Sequence, residues 1–335
     1  MNLKKSKIMI IENSKIYSLT DVENLFFRPA FCGKAAEDLG VRVLYNMPLP
    51  TKVPVLSHNN DILKPFSSGW QGGSAKNLNQ KEIPMAKLKA ESSYSAEDYF
   101  STIYEMITNS AAVSLGDLSG TDLEAAETEL FRRALTESIY IHTWFGDEDG
   151  EVSDNTCVNG FIKHFITSKN DNGYDVPLEV YNDEQEMPIE DIFKSAWRVA
   201  GDAIHALAPE GNLAFFVSSD IYDAYFFYLE EQGLIDMNGE GANGRPMLNY
   251  HGIPLVEIPR SGTTLNSGKS FCVLTDRRNL VLALNTSDSP EKEIRMWYNP
   301  DEMENRQRVV FLIGTALVDD TLLAGFIYNA GVSLI

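Results

Sequence analysis

The feature that most constrains this chain is the stretch from Thr121 to Phe145, TDLEAAETELFRRALTESIYIHTWF, which runs 25 residues without a glycine or proline. As a helix rising about 1.5 Å per residue it would form a rod of roughly 37 Å. Gly120 breaks the preceding segment, and Thr121 with Glu124 has capping-box spacing. Asp122, Glu124, Glu127 and Glu129 crowd the first turns, where the helix dipole favours anions. Leu123, Ala126, Leu130, Ala134, Ile141 and Phe145 recur at helical spacing and predict one buried stripe, which Phe131, Leu135, Ile139 and Trp144 widen.

The segment before the rod is of another kind. Residues 49–92 hold Pro50, Pro54, Pro65 and Pro84 with Gly69, Gly72 and Gly73, a pattern that excludes a helix. Two strands are expected, Lys52 to Leu56 and Ile83 to Ala90, with about 25 polar and glycine-rich residues between them carrying Phe66 and Trp70. A loop of that length inside a compact domain normally means function or a partner. Lys52, Lys64, Lys76, Lys81, Lys87 and Lys89 face only Asp61, Glu82 and Glu91 here, about +3. Residues 97–149 carry twelve acids against Arg132 and Arg133, about −10. A cationic arm and an anionic rod on one chain can meet within a subunit or between subunits.

Residues 1–48 read as an extended arm with a weak helical turn at Gly33 to Asp38. A helix is expected from Ser95 to about Leu115, residues 146–187 look loop-rich, and Pro188 should open a third helix from Ile189 to Leu207. Asn212 to Val217 is a continuous apolar run, as in a strand buried on both faces. A helix from Ile221 to Gln232 should stop at Gly233. Strands are expected at 250–259, 270–275, 280–285 and 294–298, and 309–318 with 322–329 should close the fold as an antiparallel pair about Asp319-Asp320.

With 335 residues and 44% hydrophobic content the chain can bury a large core. Its net charge of −20 excludes nucleic acid as a direct, sequence-reading ligand, since such binding needs a basic footprint. Cys32, Cys157 and Cys272 are odd in number and far apart, which suggests neither a disulfide framework nor a zinc site. The apolar run at Ile8 to Ile11 is too short for a signal peptide, no segment reaches membrane length, and synthesis in the cytosol is expected.

No motif supplies catalysis. Ser261 to Ser270 has five residues between its glycines where a phosphate-binding loop has four, and Phe271 to Leu274 beyond it looks like strand. Asp147, Asp149, Glu151 and Asp154 lack the glycine and glutamate positions of a calcium loop. His58, His142, His164, His205 and His251 show no metal-ligand spacing. Ser218 and Ser219 lack the glycines of a nucleophile elbow and suit a helix cap better. No catalytic residue, cofactor or metal is expected.

The order of parts resembles a known one: extended arm, long cationic two-stranded loop, long acidic helix, helix–strand–helix body, then closing strands. With the runs NLAFFVS (212–218), YHGIPLV (250–256) and FLIGTALVDD (311–320), it is similar to the major capsid proteins of tailed bacteriophages, the Hong Kong 97-type fold. The resemblance implies an α+β chain with an N-arm (1–48), an E-loop (49–92), a peripheral domain with the spine helix (93–187), an axial domain (188–300) and closing strands (301–335). It also implies hexamers and pentamers tiling an icosahedral shell around packaged DNA in a virion. The E-loop would lie over the adjacent subunit, so Lys64, Phe66, Trp70, Lys76, Lys81, Lys87 and Lys89 would meet Asp122, Glu124, Glu127 and Glu129 of a neighbour. Only about 48 residues precede the E-loop, so a separate scaffolding protein, or none, is expected beside portal and decoration proteins. Two other readings remain at this stage: an encapsulin-type nanocompartment, and an α/β enzyme acting on a phosphorylated ligand through residues 261–270.

Overall fold

A computed structural model of the chain describes residues 36–49, 51–58, 76–95, 122–150, 156–171, 176–183, 185–234, 247–259, 270–287, 293–329 and 332–334, with isolated positions 68, 117, 119 and 290 besides. In chain order the elements are β1 (Arg42–Leu44), β2 (Thr51–His58), β3 (Lys76–Ile83), β4 (Ala86–Ser95), α1 (Asp122–Phe145), α2 (Phe161–Asp171), β5 (Leu178–Tyr181), β6 (Gln185–Met187), α3 (Ile189–Val199), α4 (Asp202–Leu207), β7 (Leu213–Ser218), α5 (Ser219–Glu231), β8 (Asn249–Tyr250), β9 (Ile253–Ile258), β10 (Ser270–Asp276), β11 (Leu280–Leu284), β12 (Arg295–Asn299), β13 (Glu304–Leu317), β14 (Leu323–Tyr328) and β15 (Val332–Leu334). They fall into two compact units, one of residues 1–33, 87–138 and 288–311, the other of 34–86, 139–287 and 312–335.

The larger unit is built on a six-stranded sheet in the order β5-β14-β10-β7-β9-β8. Every residue of β7, β10 and β14 is buried. Successive residues of a strand point to opposite faces, so continuous burial requires cover on both. One face meets α3, α4 and α5, with Phe193 packed on Phe215 and Tyr225 at ring distances of 5.5 and 4.7 Å. The other face meets the last turns of α1 and helix α2, where Trp144 lies 5.5 Å from Phe216 and 5.2 Å from Phe161. Tyr140 donates its hydroxyl to the Pro259 carbonyl at 2.7 Å and fixes the end of the rod in place.

The smaller unit holds β4 from Lys87 onward, the first turns of α1, β12 and the first half of β13. β12 and β13 run antiparallel in the register Arg295↔Arg308 to Asn299↔Glu304, and β4 pairs with β13. Burial along β13 alternates, with Asn305, Gln307, Val309 and Phe311 buried. Gln307 is 2% exposed, and neither amide atom of its side chain has a hydrogen-bond partner among the described residues.

The long helix forms over Asp122–Phe145. Its buried stripe differs from the expected one: Leu130 is 39% exposed and Ala134 is exposed, whereas Leu135, Tyr140, His142, Thr143, Trp144 and Phe145 are buried. The last turns sit between a sheet and α2 and are covered on most sides, so burial there does not follow one stripe. Thr121, and with it the capping box, lies outside the described residues.

Four other expectations are corrected. The partner of β2 is Lys76–Ile83, eight residues in full antiparallel register, not the strand after Pro84. Proline has no N–H to give a ladder, and Pro84 ends β3; the chain restarts as β4 in another sheet. The segment 146–187 contains the helix Phe161–Asp171, hidden from the sequence reading by its polar second half. The helix expected over Ile189 to Leu207 breaks at Ala200-Gly201, since Ala200 has extended backbone (ψ 133°). The supposed closing pair is no pair: β13 joins β11, β12 and β4, while β14 joins β10 and β5. Buried Asn279 holds the crossover, donating to the Asp319 carbonyl at 2.9 Å and accepting from the Asp319 N–H at 2.7 Å. The helix expected from Ser95 lies outside the described residues except at Ser95 itself, which ends β4.

Candidate functional site

Two surfaces carry the residues expected to work. The first is the β2–β3 hairpin of the larger unit. Eight pairs at about 3.4 Å per residue make a ribbon of roughly 27 Å, and among the described residues it forms a two-stranded sheet. Such a ribbon is marginal alone in water, so its root must be fixed by the body. Val53 and Ile83 are buried there with Val281, Ala283 and Ala316. Thr51 is buried and donates its hydroxyl to the Pro48 carbonyl at 2.6 Å. Gly314 of β13 runs so close beneath that a Cβ on it would stand 2.3 Å from the Pro84 carbonyl oxygen. Lys81 pairs with Asp320 at 2.7 Å, and Asp320 also accepts from the Ser168 hydroxyl at 3.4 Å.

Beside this root is a cavity of about 80 Å³ lined by Pro84, Met85, Glu148, His164 and Thr315 among others. The Thr315 hydroxyl donates its one proton to the Asn159 carbonyl. It can then only accept from His164 Nε2, 3.1 Å away, which puts the neutral imidazole's proton on Nε2. Burial holds His164 below the usual histidine range, and the Lys81 charge pushes it the same way while Asp320 opposes.

The second surface is the outer face of the smaller unit's sheet. Residues directly opposite in an antiparallel pair share a face, which sets Arg295 beside Arg308 and Trp297 beside Arg306. Lys87, Lys89, Glu91 and Ser93 are the exposed alternate residues of β4. Glu91 joins the two strands by accepting from Arg308 at 2.7 Å and from Lys89 at 2.8 Å, and the Lys89 bond leads in holding its carboxyl below the usual range. The Arg308 guanidinium stands 5.3 Å over the Trp297 ring. Between them is an open pocket of about 300 Å³.

The basic residues expected to act together are therefore divided. Lys81 is held by Asp320, whereas Lys87 and Lys89 belong to the other unit's sheet face. Lys76 is in β3; Lys64, Phe66 and Trp70 lie outside the described residues. On α1, Glu129 is taken by Arg132 at 2.5 Å and Arg133 at 2.8 Å, and Glu124 and Glu127 are half-buried near Tyr94, whose hydroxyl is pushed up first by burial and then by those two charges. Asp122 opens the helix. Arg295, Trp297, Arg306 and Arg308 were not among the expected residues. The alternation Glu304-Asn305-Arg306-Gln307-Arg308 signals a strand with one charged face, whereas the expected strand begins only at Val309.

Of the acidic turn expected at Asp147, Asp149, Glu151 and Asp154, the last two lie outside the described residues. Lys163 bonds Asp147 at 2.7 Å and Asp149 at 3.2 Å, which makes a structural clasp of that turn. Ser270 begins β10, a strand where a phosphate-binding loop would open a helix; residues 261–269 lie outside the described ones. Among the described residues no group of three or more His, Cys, Asp or Glu is placed to hold a metal.

No protein-family model matches the chain, and neither does a curated protein sequence. Solved structures do. The chain is similar to the capsid of a native GTA particle, with 12% identity, 96% of this chain and 95% of that chain covered, and a TM-score of 0.51. The fold is that of a phage capsid protein. Mycobacterium phage Bobi matches this capsid fold at 10% identity over 94% of this chain and 95% of its own, TM-score 0.52. The holo-SrpI encapsulin complex from Synechococcus elongatus PCC 7942 shares it at 10% identity over 95% and 96%, TM-score 0.52. Identity this low leaves the capsid fold visible in the order and packing of elements, not in residues.

Proposed function

We propose that this chain is the major capsid protein of a tailed bacteriophage, a structural subunit without enzymatic activity. Copies assemble as hexamers and pentamers into an icosahedral shell that encloses packaged DNA in the virion. The observation that carries this reading is that the likeness to phage capsid proteins spans at least 94% of this chain and 95% of each of those two phage-type chains. The hairpin supports it as well, since a two-stranded ribbon gains most by lying on another subunit. Synthesis in the host cytoplasm, a separate scaffolding protein, a portal and decoration proteins belong to the same reading. So do the domain limits given for N-arm, E-loop, peripheral and axial domains.

The encapsulin likeness favours a second reading, a nanocompartment shell holding a cargo enzyme. Neighbouring genes decide between them: a portal and a terminase for the phage, a cargo enzyme for the compartment. For either, negative-stain images of the purified protein, alone or with scaffold, should show rings or closed shells. A stable monomer under every condition tried would remove both.

A further inference from the structure

The outer face of the β4–β13–β12 sheet is opposite in sign to the molecule that bears it. Lys87, Lys89, Arg295, Arg306 and Arg308 stand on it against Glu91, Glu302 and Glu304, the last two bonded to Arg306, in a chain of net charge −20. Arg295 and Arg308 are directly opposite across the strands. Like charges so placed are unfavourable, and Glu91 answers only Arg308 and Lys89. The side chains of Lys87 and Arg295 have no ion pair or hydrogen bond among the described residues. Among the described residues β12 ends the strand order, with no strand paired on its outer side. Trp297, Met303 and Val310 are exposed in the same unit.

We infer that this face is an interface that receives the acidic surface of a second copy of the same chain. The inference rests on the shell-subunit reading and names one of its contacts. Charge complementarity selects the occupant. Almost any surface of a copy carrying 48 acids and 28 cations offers carboxylates, and the exposed indole and apolar side chains of this unit give such a contact area besides. The β2–β3 hairpin is not the segment that lands here, because Lys52, Lys76 and Lys81 outweigh Glu82 and would meet like charge.

The test pairs a variant with a footprint. Lys87→Glu with Arg295→Glu changes two side chains that bond to nothing described, so the subunit should keep its melting temperature and circular dichroism. Shell yield at low salt should fall roughly tenfold, and the salt dependence of assembly should weaken relative to wild type. In empty shells assembled from the pure wild-type chain, the amides of residues 295–299 should exchange more slowly than in the free subunit. Normal shells from the double variant, or unchanged exchange in empty shells, would overturn the inference while leaving the capsid reading intact. Protection confined to DNA-filled shells would also overturn it, in favour of phosphate as occupant. A wild-type chain that forms no shells either alone or with a scaffold would instead remove the reading on which it rests.

Discussion

Gly314→Ala is the sharpest probe of how the hairpin is seated. The added Cβ would stand 2.3 Å from the Pro84 carbonyl oxygen and 3.1 Å from both Ile83 Cγ2 and Met85 Cγ. Ordinary contact begins near 3.4 Å, so the link between β3 and β4 must move by about 1 Å or β13 must bend. The nearest atom is backbone, so no rotamer change relieves it. Overpacking of this kind costs about 1–3 kcal/mol, and the stiffer unfolded chain of alanine offsets about 0.4–1 kcal/mol. The net loss of about 1–2 kcal/mol should lower the melting temperature by roughly 2–8 °C in a unit of this size. Differential scanning calorimetry of the unassembled subunit reads it directly. A melting temperature equal to wild type, or higher, would mean that β13 does not run tightly under the hairpin root.

Three further outcomes are expected. A double-mutant cycle on Lys81→Ala and Asp320→Ala should give a coupling of under about 1 kcal/mol, since the pair is partly exposed, and a coupling above about 2 kcal/mol would make it a far stronger anchor than its exposure allows. His164 has a depressed pKa in the fold, so the unfolded chain binds its proton first and stability falls as pH drops below about 6.5; His164→Gln should flatten the melting temperature between about pH 7.5 and 5.5, and an unchanged slope would assign the loss to other groups. Lys52→Glu with Lys76→Glu tests whether the hairpin pairs with a neighbour's acids: subunits should fold normally and assemble poorly, and wild-type shell yields would sink that pairing. Lys81 is left out of this variant because a glutamate there would face Asp320.

The fold was legible in the sequence where one local signal decides an element. The rod is bounded by Gly120 and Gly146 and lacks breakers, and the run LAFFVS needs cover on both faces. Pairing was less legible, because it depends on distant partners. The apolar runs around Asp319-Asp320 have the look of a hairpin, yet Asn279 pins the turn and sends each strand to a different neighbour. Pro84 marks the end of β3 clearly, but nothing local says that Lys76–Ile83, a polar segment, is a strand at all; its pairing with β2 makes it one. For the candidate surfaces, the basic composition of residues 49–92 was readable, but its division was not. Lys81 and Lys87 are six residues apart and serve different units, and the arginines that complete the second surface come from more than 200 residues further along.

The central claim is that this chain is a shell subunit, and cryo-electron microscopy of the purified protein, with and without a co-expressed scaffold, tests it most directly. The account predicts closed, uniform shells with icosahedral symmetry in which each subunit keeps its two-unit capsid fold. A population that stays monomeric, or stops at small open-ended oligomers across protein concentration and ionic strength, would contradict it.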